Sequence, residues 1–224
     1  RIYQYSEGTW TQLGNDIDGE STNDTSGDFV SLSSDGTIVA IGARTNINEN
    51  GDQSGHVRVY QYSEGSWTQL GNDIDGESTN DLLGYSGSLS NDGTIVAIGA
   101  YGNDNENGEQ SGHVRVYQYS EGSWTQLGND IDGESATDIS GFSVSLSNGG
   151  NFVAIGARYN DGNGFQSGHV RVYQYSNGAW TQLGNDIDGE SAEDNSGYSV
   201  SLSGNGNILA IGAIANGNNN GHVR

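Results

Sequence analysis

The segment Gly55-His56-Val57-Arg58-Val59-Tyr60-Gln61-Tyr62-Ser63-Glu64-Gly65-Ser66-Trp67-Thr68-Gln69-Leu70 sets the pattern of the whole chain. Its first eight residues alternate between two faces, as in a β-strand; a Ser-Glu-Gly turn and a short second strand follow. The segment recurs along the chain, and the equivalent arginines are spaced by 57, 57, 56 and 53 residues: Arg1, Arg58, Arg115, Arg171 and Arg224. Such regular self-similarity indicates four equivalent structural units.

Each unit carries two further predicted strands. In Ser143-Val144-Ser145-Leu146-Ser147 the apolar residues share one face and the serines share the other. An Asn91-Asp92-Gly93 turn, a strong hairpin signal, leads into Thr94–Ala100, which is apolar on both faces. A strand without a wet face lies in a sheet that is covered on both sides. The polar loop from Asn103 to Gly112 belongs at the surface.

The predicted fold is all-β, a β-propeller of four-stranded antiparallel blades built from four repeats of about 57 residues. The repeats span residues 1–57, 58–114, 115–170 and 171–224, as one continuous domain. No window has helical periodicity, which excludes a helical solenoid. The sequence leaves open whether four units close a ring or belong to a larger propeller or array, because Arg1 and Arg224 occupy matching points of one predicted strand.

Composition limits the partners. The chain of 224 residues has 37 glycines, no Pro, Cys or Met, and a formal charge of −22. Nucleic acid and anionic membrane surfaces would be repelled, whereas cations, neutral glycans and other copies of the repeat remain possible partners. No apolar run approaches the ~20 residues of a membrane span, so membrane insertion is not expected. The triplet Asn23-Asp24-Thr25 is an acceptor for N-glycosylation and permits secretion.

The units resemble the FG-GAP repeat in Ser140-Gly141-Phe142-Ser143-Val144-Ser145-Leu146, Phe152-Val153-Ala154-Ile155-Gly156-Ala157 and Gly168-His169-Val170-Arg171-Val172-Tyr173. That repeat builds the propellers of integrin α subunits. The aromatic-glycine order is reversed here, and the turn Ser90–Thr94 is too short for the calcium loop of the family. The units also resemble tandem repeats of surface proteins of aquatic microbes and algae, which implies an extracellular structural role.

A different segment is the candidate calcium site. Carboxylates stand at the first, third, fifth and ninth positions of an acidic loop in every unit, and Ca²⁺ prefers such clustered oxygen ligands. The alternative is a solvated acidic turn. The sixteen candidate ligands are Asp16, Asp18, Glu20, Asp24, Asp73, Asp75, Glu77, Asp81, Asp130, Asp132, Glu134, Asp138, Asp186, Asp188, Glu190 and Asp194.

Aromatic and basic residues recur with the same period. A tryptophan occupies one position of every unit, and either a glycan platform or a structural aromatic between blades would have this pattern: Trp10, Trp67, Trp124 and Trp180. Histidines recur two residues before an arginine: His56, His113, His169 and His222. Because no second histidine or cysteine stands at ligand spacing, an interblade hydrogen bond is favoured over a metal site. The arginines are expected to pair with the acidic loops.

Catalysis is not expected. A single active site would use residues that break the repeat, and none of these places a nucleophile beside a base: Asp28, Arg44, Leu82, Leu83, Gly87, Arg158, Phe165 and Glu193. The sequence therefore predicts a non-enzymatic, extracellular structural or adhesive module of a cell-surface or filamentous assembly. A calcium-assisted, glycan-binding lectin is the alternative.

Overall fold

The computed structural model describes residues 1–216 and 220–224, and its architecture is all-β. The described residues form these strands: β1 (Tyr3–Ser6), β2 (Thr9–Gln12), β3 (Val30–Leu32), β4 (Ile38–Ala43), β5 (His56–Ser63), β6 (Ser66–Gln69), β7 (Ile74–Asp75), β8 (Ser86–Leu89), β9 (Ile95–Ala100), β10 (His113–Ser120), β11 (Ser123–Gln126), β12 (Ile131–Asp132), β13 (Ser143–Leu146), β14 (Phe152–Ala157), β15 (His169–Ser176), β16 (Ala179–Gln182), β17 (Ile187–Asp188), β18 (Ser196–Leu202), β19 (Leu209–Ala213) and β20 (His222–Val223).

Three antiparallel sheets of five strands repeat one pattern. Their orders are β3-β4-β5-β6, β8-β9-β10-β11 and β13-β14-β15-β16, and the two-residue strands β7, β12 and β17 pair with the start of the long third strand. A β1-β2 hairpin lies before them, and a β18-β19-β20 sheet follows. In the described part of the chain, β1 pairs only with β2 and β20 only with β19.

The sheets are out of phase with the repeats defined from the arginines. Each complete sheet takes its first two strands from one repeat and its last two from the next. The boundaries after residues 57, 114 and 170 consequently fall inside β5, β10 and β15. The period read from the sequence is the period of the structure, but the sheet begins about half a unit later.

Consecutive sheets are held together through their first strands. The amide of Leu89 donates to Ser31 Oγ, that of Leu146 to Ser88 Oγ and that of Leu202 to Ser145 Oγ, each at 3.0 Å. A serine hydroxyl on one sheet thus accepts a backbone hydrogen bond from the next. The serine face of this strand is therefore a contact surface between sheets.

The core lies between the sheets. The second strands are buried on both faces, as the sequence predicts; Val96, Ala97 and Ile98 are fully buried in β9. Removing an aliphatic side chain of this size from water contributes about 1.5–3 kcal/mol. Since each sheet covers its neighbour, the stability of one unit depends on the next.

Glycines let the sheets approach closely. A Cβ atom on Gly42, Gly99 or Gly156, in the second strand, would overlap the carbonyl oxygen of Gly84, Gly141 or Gly197 in the following unit. The glycine of each Gly-Ala pair is therefore required, because an added methyl group would force the two backbones apart.

We expect Gly156→Ala to lower the free energy of unfolding by about 1–3 kcal/mol or more, because the methyl group meets backbone that cannot rotate away. Gly149→Ala is the matched control, since its Cβ would meet only Asn151 Oδ1 at 3.5 Å. The control should change stability by less than about 0.5 kcal/mol. Urea unfolding measures both, and equal effects of the two variants would contradict the contact.

Candidate functional site

The carboxylates of each acidic loop are distributed over separate contacts. The first aspartate lies beside a glutamine of the preceding strand; Gln69, Gln126 and Gln182 each donate Nε2–H to Oδ1 of Asp73, Asp130 and Asp186 at 2.6 Å. Gln12 makes the same bond to Asp16 at 2.7 Å. The glutamine thereby holds Oδ1 of each aspartate, and Oδ2 takes no part in this bond.

The glutamate at the fifth position crosses to the next unit. Arg115 Nη1 lies 2.9 Å from Glu77 Oε1, and Arg171 Nη1 lies 3.3 Å from Glu134 Oε1. Arg58 and Glu20 make the same contact at 3.5 Å. The predicted pairing of arginines with acidic loops is confirmed, and the structure adds that the loop belongs to the preceding unit.

The same arginines also bind the backbone of that loop. Nη2 of Arg58, Arg115 and Arg171 donates to the carbonyl oxygens of Asp18, Asp75 and Asp132 at 2.7, 2.9 and 2.6 Å. These third-position aspartates also accept side-chain hydrogen bonds, from Asn48 to Asp75 and from Asn105 to Asp132. Burial raises the pKa of both carboxyls.

The ninth-position aspartates are buried and close the loop. Asp81 Oδ2 accepts the amides of Glu77 and Ser78 at 2.9 Å, and Oδ1 accepts from Asn103 Nδ2. Asp24, Asp138 and Asp194 likewise accept the amides of Ser21, Ser135 and Ser191. Asn23, in the glycosylation triplet, is exposed in the first of these loops.

The four carboxylates of one loop thus have different partners and do not converge on one point in the described residues. The alternating spacing predicted that the carboxylates of one loop share a calcium ion, and the observed arrangement differs from that prediction. Calcium binding stays a prediction.

Histidines bring loop carboxylates of two units together. Nδ1 of His56 lies 3.6 Å from Asp73 Oδ2 and 3.8 Å from Glu20 Oε2, and the imidazole is almost fully buried. His113 faces Asp130 at 3.7 Å, and His169 faces Asp186 at 3.8 Å and Glu134 at 4.0 Å. His222 lies 4.0 Å from Glu190.

The predicted interblade hydrogen bond of these histidines is wrong, because 3.6–4.0 Å is too long for one. Burial, assisted by the neighbouring arginine and opposed by the aspartate, lowers the pKa of His113 and of His169 to about 4. Burial also lowers the pKa of His56. At neutral pH the imidazoles of His113 and His169 are therefore uncharged and carry a free lone pair.

Three of the four tryptophans belong to the contacts between units. Nε1–H of Trp67, Trp124 and Trp180 donates to the carbonyl oxygens of Leu13, Leu70 and Leu127 at 2.8, 2.7 and 2.6 Å. Each indole also lies against a glycine of the preceding unit: Gly14, Gly71 or Gly128. Trp10 is 66% exposed. The described indoles of the later units are thus engaged in packing.

Sequence reasoning missed a group of aromatic residues and arginines near the first strands. The rings of Tyr85, Phe142 and Tyr198 follow one another with centroids 5.0 and 5.3 Å apart. Arg158 Cζ lies 4.1 Å from the Phe142 centroid, and Arg44 Cζ lies 4.9 Å from that of Tyr85. The sequence marks Arg44 and Arg158 only as residues that break the repeat, and this irregularity is the signal from which the aromatic group could be found.

Comparison with known proteins identifies a similar fold. No family model matches the sequence, and no curated protein matches it. Among solved structures, the hydrazine synthase of Kuenenia stuttgartiensis is similar with a TM-score of 0.54 and 16% sequence identity. The match covers 87% of this chain, which spans 57% of that one. A likeness at this identity concerns the fold alone.

Proposed function

We propose that this chain is a non-enzymatic structural and adhesive module, outside the cell, of a cell-surface or filamentous assembly. We further propose that its sheets are blades of a β-propeller, or of a propeller-like array, with the first strands nearest the axis. The serine-to-amide bonds between successive first strands support this arrangement. The extracellular location rests on the resemblance to FG-GAP and surface-protein repeats.

The observation that carries the structural role is the recurrence of one junction between successive sheets. Half of such a junction is exposed at each edge of the described structure. Leu32 is 50% exposed, whereas its equivalents Leu89, Leu146 and Leu202 are buried beneath a preceding sheet. At the other edge, no atom lies within 4 Å of a Cβ built on Gly184, although the equivalent glycines contact tryptophan. Both surfaces fit a further unit of the same kind.

The two edges are also complementary. Among the described residues, Trp10 at the first edge has no leucine carbonyl of the kind that the other indoles bind, and Leu183, the equivalent of Leu13, Leu70 and Leu127, is 50% exposed at the second edge. Repetition of one junction produces head-to-tail growth, either into a closed ring or into a filament. The charge of −22 opposes non-specific association and leaves the specific edges as the attractive surfaces.

We predict head-to-tail self-association that substitution of either edge abolishes. Leu32→Arg and Leu183→Arg should each be monomeric in sedimentation velocity, because a desolvated guanidinium at the junction is costly. Mixed in equal amounts, the two variants should form a dimer that does not grow further, since one intact edge of each kind remains.

Phe165→Arg is the control for added charge, because Phe165 is 61% exposed in the polar loop between β14 and β15. It should associate like the unchanged chain. A chain that stays monomeric at high concentration, or association that survives both edge substitutions, would overturn the proposal.

Glycan binding is the second candidate function, and the row of Tyr85, Phe142 and Tyr198 with Arg158 favours it. Phe142 is buried, Tyr85 is partly buried and Tyr198 is 37% exposed, so the Tyr198 ring is the face that could stack on a sugar, and arginine N–H groups can donate to hydroxyls. If this surface binds neutral oligosaccharides, Tyr198→Ala should abolish binding in calorimetry and Trp124→Phe should preserve it. Loss in Trp124→Phe alone would instead assign binding to the tryptophans, as the sequence suggested.

A further inference from the structure

We propose that each Glu–His–Asp cluster binds a divalent transition-metal ion, with zinc as the best fit, between consecutive units. The described residues contain three such clusters, each with its ligand atoms within 4.8 Å of one another. Their members are Glu20, His56 and Asp73; Glu77, His113 and Asp130; and Glu134, His169 and Asp186. The glutamate lies in one acidic loop and the aspartate in the next, and the histidine begins the long strand between them, β5, β10 or β15.

The histidine points to a ligand independently of the carboxylates. Nδ1 of His169 is buried and has no hydrogen-bond partner among the described residues, although it faces two carboxylate oxygens. In His56 and His113 the buried Nε2 also lacks a partner, and Nδ1 is beyond hydrogen-bond distance of its carboxylates. Coordination of Nδ1 would offset the cost of a buried polar atom without a hydrogen bond in His169, where the unpartnered atom is Nδ1 itself. In His56 and His113 it would use an Nδ1 lone pair that accepts no hydrogen bond from the described residues.

Within the described part of the chain, each carboxylate of the second cluster keeps one oxygen without a hydrogen-bond partner. Glu77 Oε1 is held by Arg115, and Asp130 Oδ1 is held by Gln126. The second oxygen of Asp130 is the one that faces His113. Partners that fix one atom of a ligand while the other is directed inward are typical of metal sites, where they orient the coordinating groups.

The distances suit a small ion. Zinc binds nitrogen and oxygen at about 2.0–2.1 Å, which separates tetrahedral ligands by about 3.3 Å. The distance from Nδ1 to five of the six carboxylates is 3.6–4.0 Å, and Glu77 lies within 4.8 Å of the other ligand atoms of its cluster. Binding therefore needs a contraction of flexible side chains, which is largest at Glu77. One nitrogen and two oxygens leave a fourth position for water. Calcium fits less well, because it requires six to eight oxygen ligands and disfavours imidazole.

The sequence could not show this site because its ligands are far apart in the chain. His113 and Asp130 are 17 residues apart, and Glu77 lies 36 residues before His113 (113 − 77), in the preceding acidic loop. Such a bridge would link consecutive repeats whether or not the chain assembles further. Metal binding is therefore separable from the structural role proposed above.

The test is calorimetric titration of chelator-treated chain with zinc and, separately, with calcium, in about 0.15 M salt to screen diffuse attraction. We expect saturable binding of three zinc ions per chain and a rise in melting temperature that calcium does not match. Cobalt should give absorption bands characteristic of nitrogen coordination.

The repeats provide internal controls. Glu77→Gln, at a half-exposed side chain, should reduce the stoichiometry to two while the other sites keep their affinity. Glu121→Gln removes a carboxylate from an exposed turn and should leave three. His56→Gln/His113→Gln/His169→Gln should eliminate zinc binding and the cobalt spectrum.

Absence of saturable zinc binding would overturn the proposal. So would binding that persists in the triple histidine variant, if circular dichroism shows that the variant is folded. That second outcome would assign the ions to surface carboxylates only. If the triple variant does not fold, the cobalt spectrum of Glu77→Gln is the deciding measurement. The proposal predicts that its intensity falls by one third, and an unchanged intensity would overturn it.

Discussion

The close approach of backbone between successive units is the constraint on which the rest of the structure depends. Gly99 of one unit lies against the carbonyl of Gly141 in the next, without room for a side chain between them. This contact brings the serine of one first strand within hydrogen-bond distance of the next. The indole, arginine and histidine contacts at each junction then follow with the same spacing, since they are carried by the third and fourth strands of the same sheets.

Each junction combines apolar burial with polar groups that reach from one unit to another. Arg115 bonds the carbonyl of Asp75 and the carboxylate of Glu77, while Trp124 bonds the carbonyl of Leu70. These bonds satisfy carbonyls of the preceding loop and fix the register of the sheets, whereas the stability comes mainly from buried aliphatic residues. A module with one repeated junction is suited to extension.

Much of the fold follows from local pattern, and much of the candidate site does not. Alternation in His56–Ser63 and the apolar run Ile95–Ala100 predict strands because their periodicity is local. The point in the repeat at which each sheet begins depends on which strands pair in space. Because the strands recur, the sequence is equally compatible with sheets that begin at the arginine strand and with sheets that begin half a unit later. The grouping of Glu20 with His56 depends on a contact between residues that are 36 positions apart (56 − 20), which the spacing of ligands along the chain cannot reveal.

The measurement that tests the central claim most directly is urea unfolding of a series with two, three and four units, cut in the loops between sheets. If stability resides in the junctions, the free energy of unfolding and its urea dependence should both rise with each added unit. A series in which every length unfolds at the same midpoint with the urea dependence of one unit would contradict the account, because the units would then be independent.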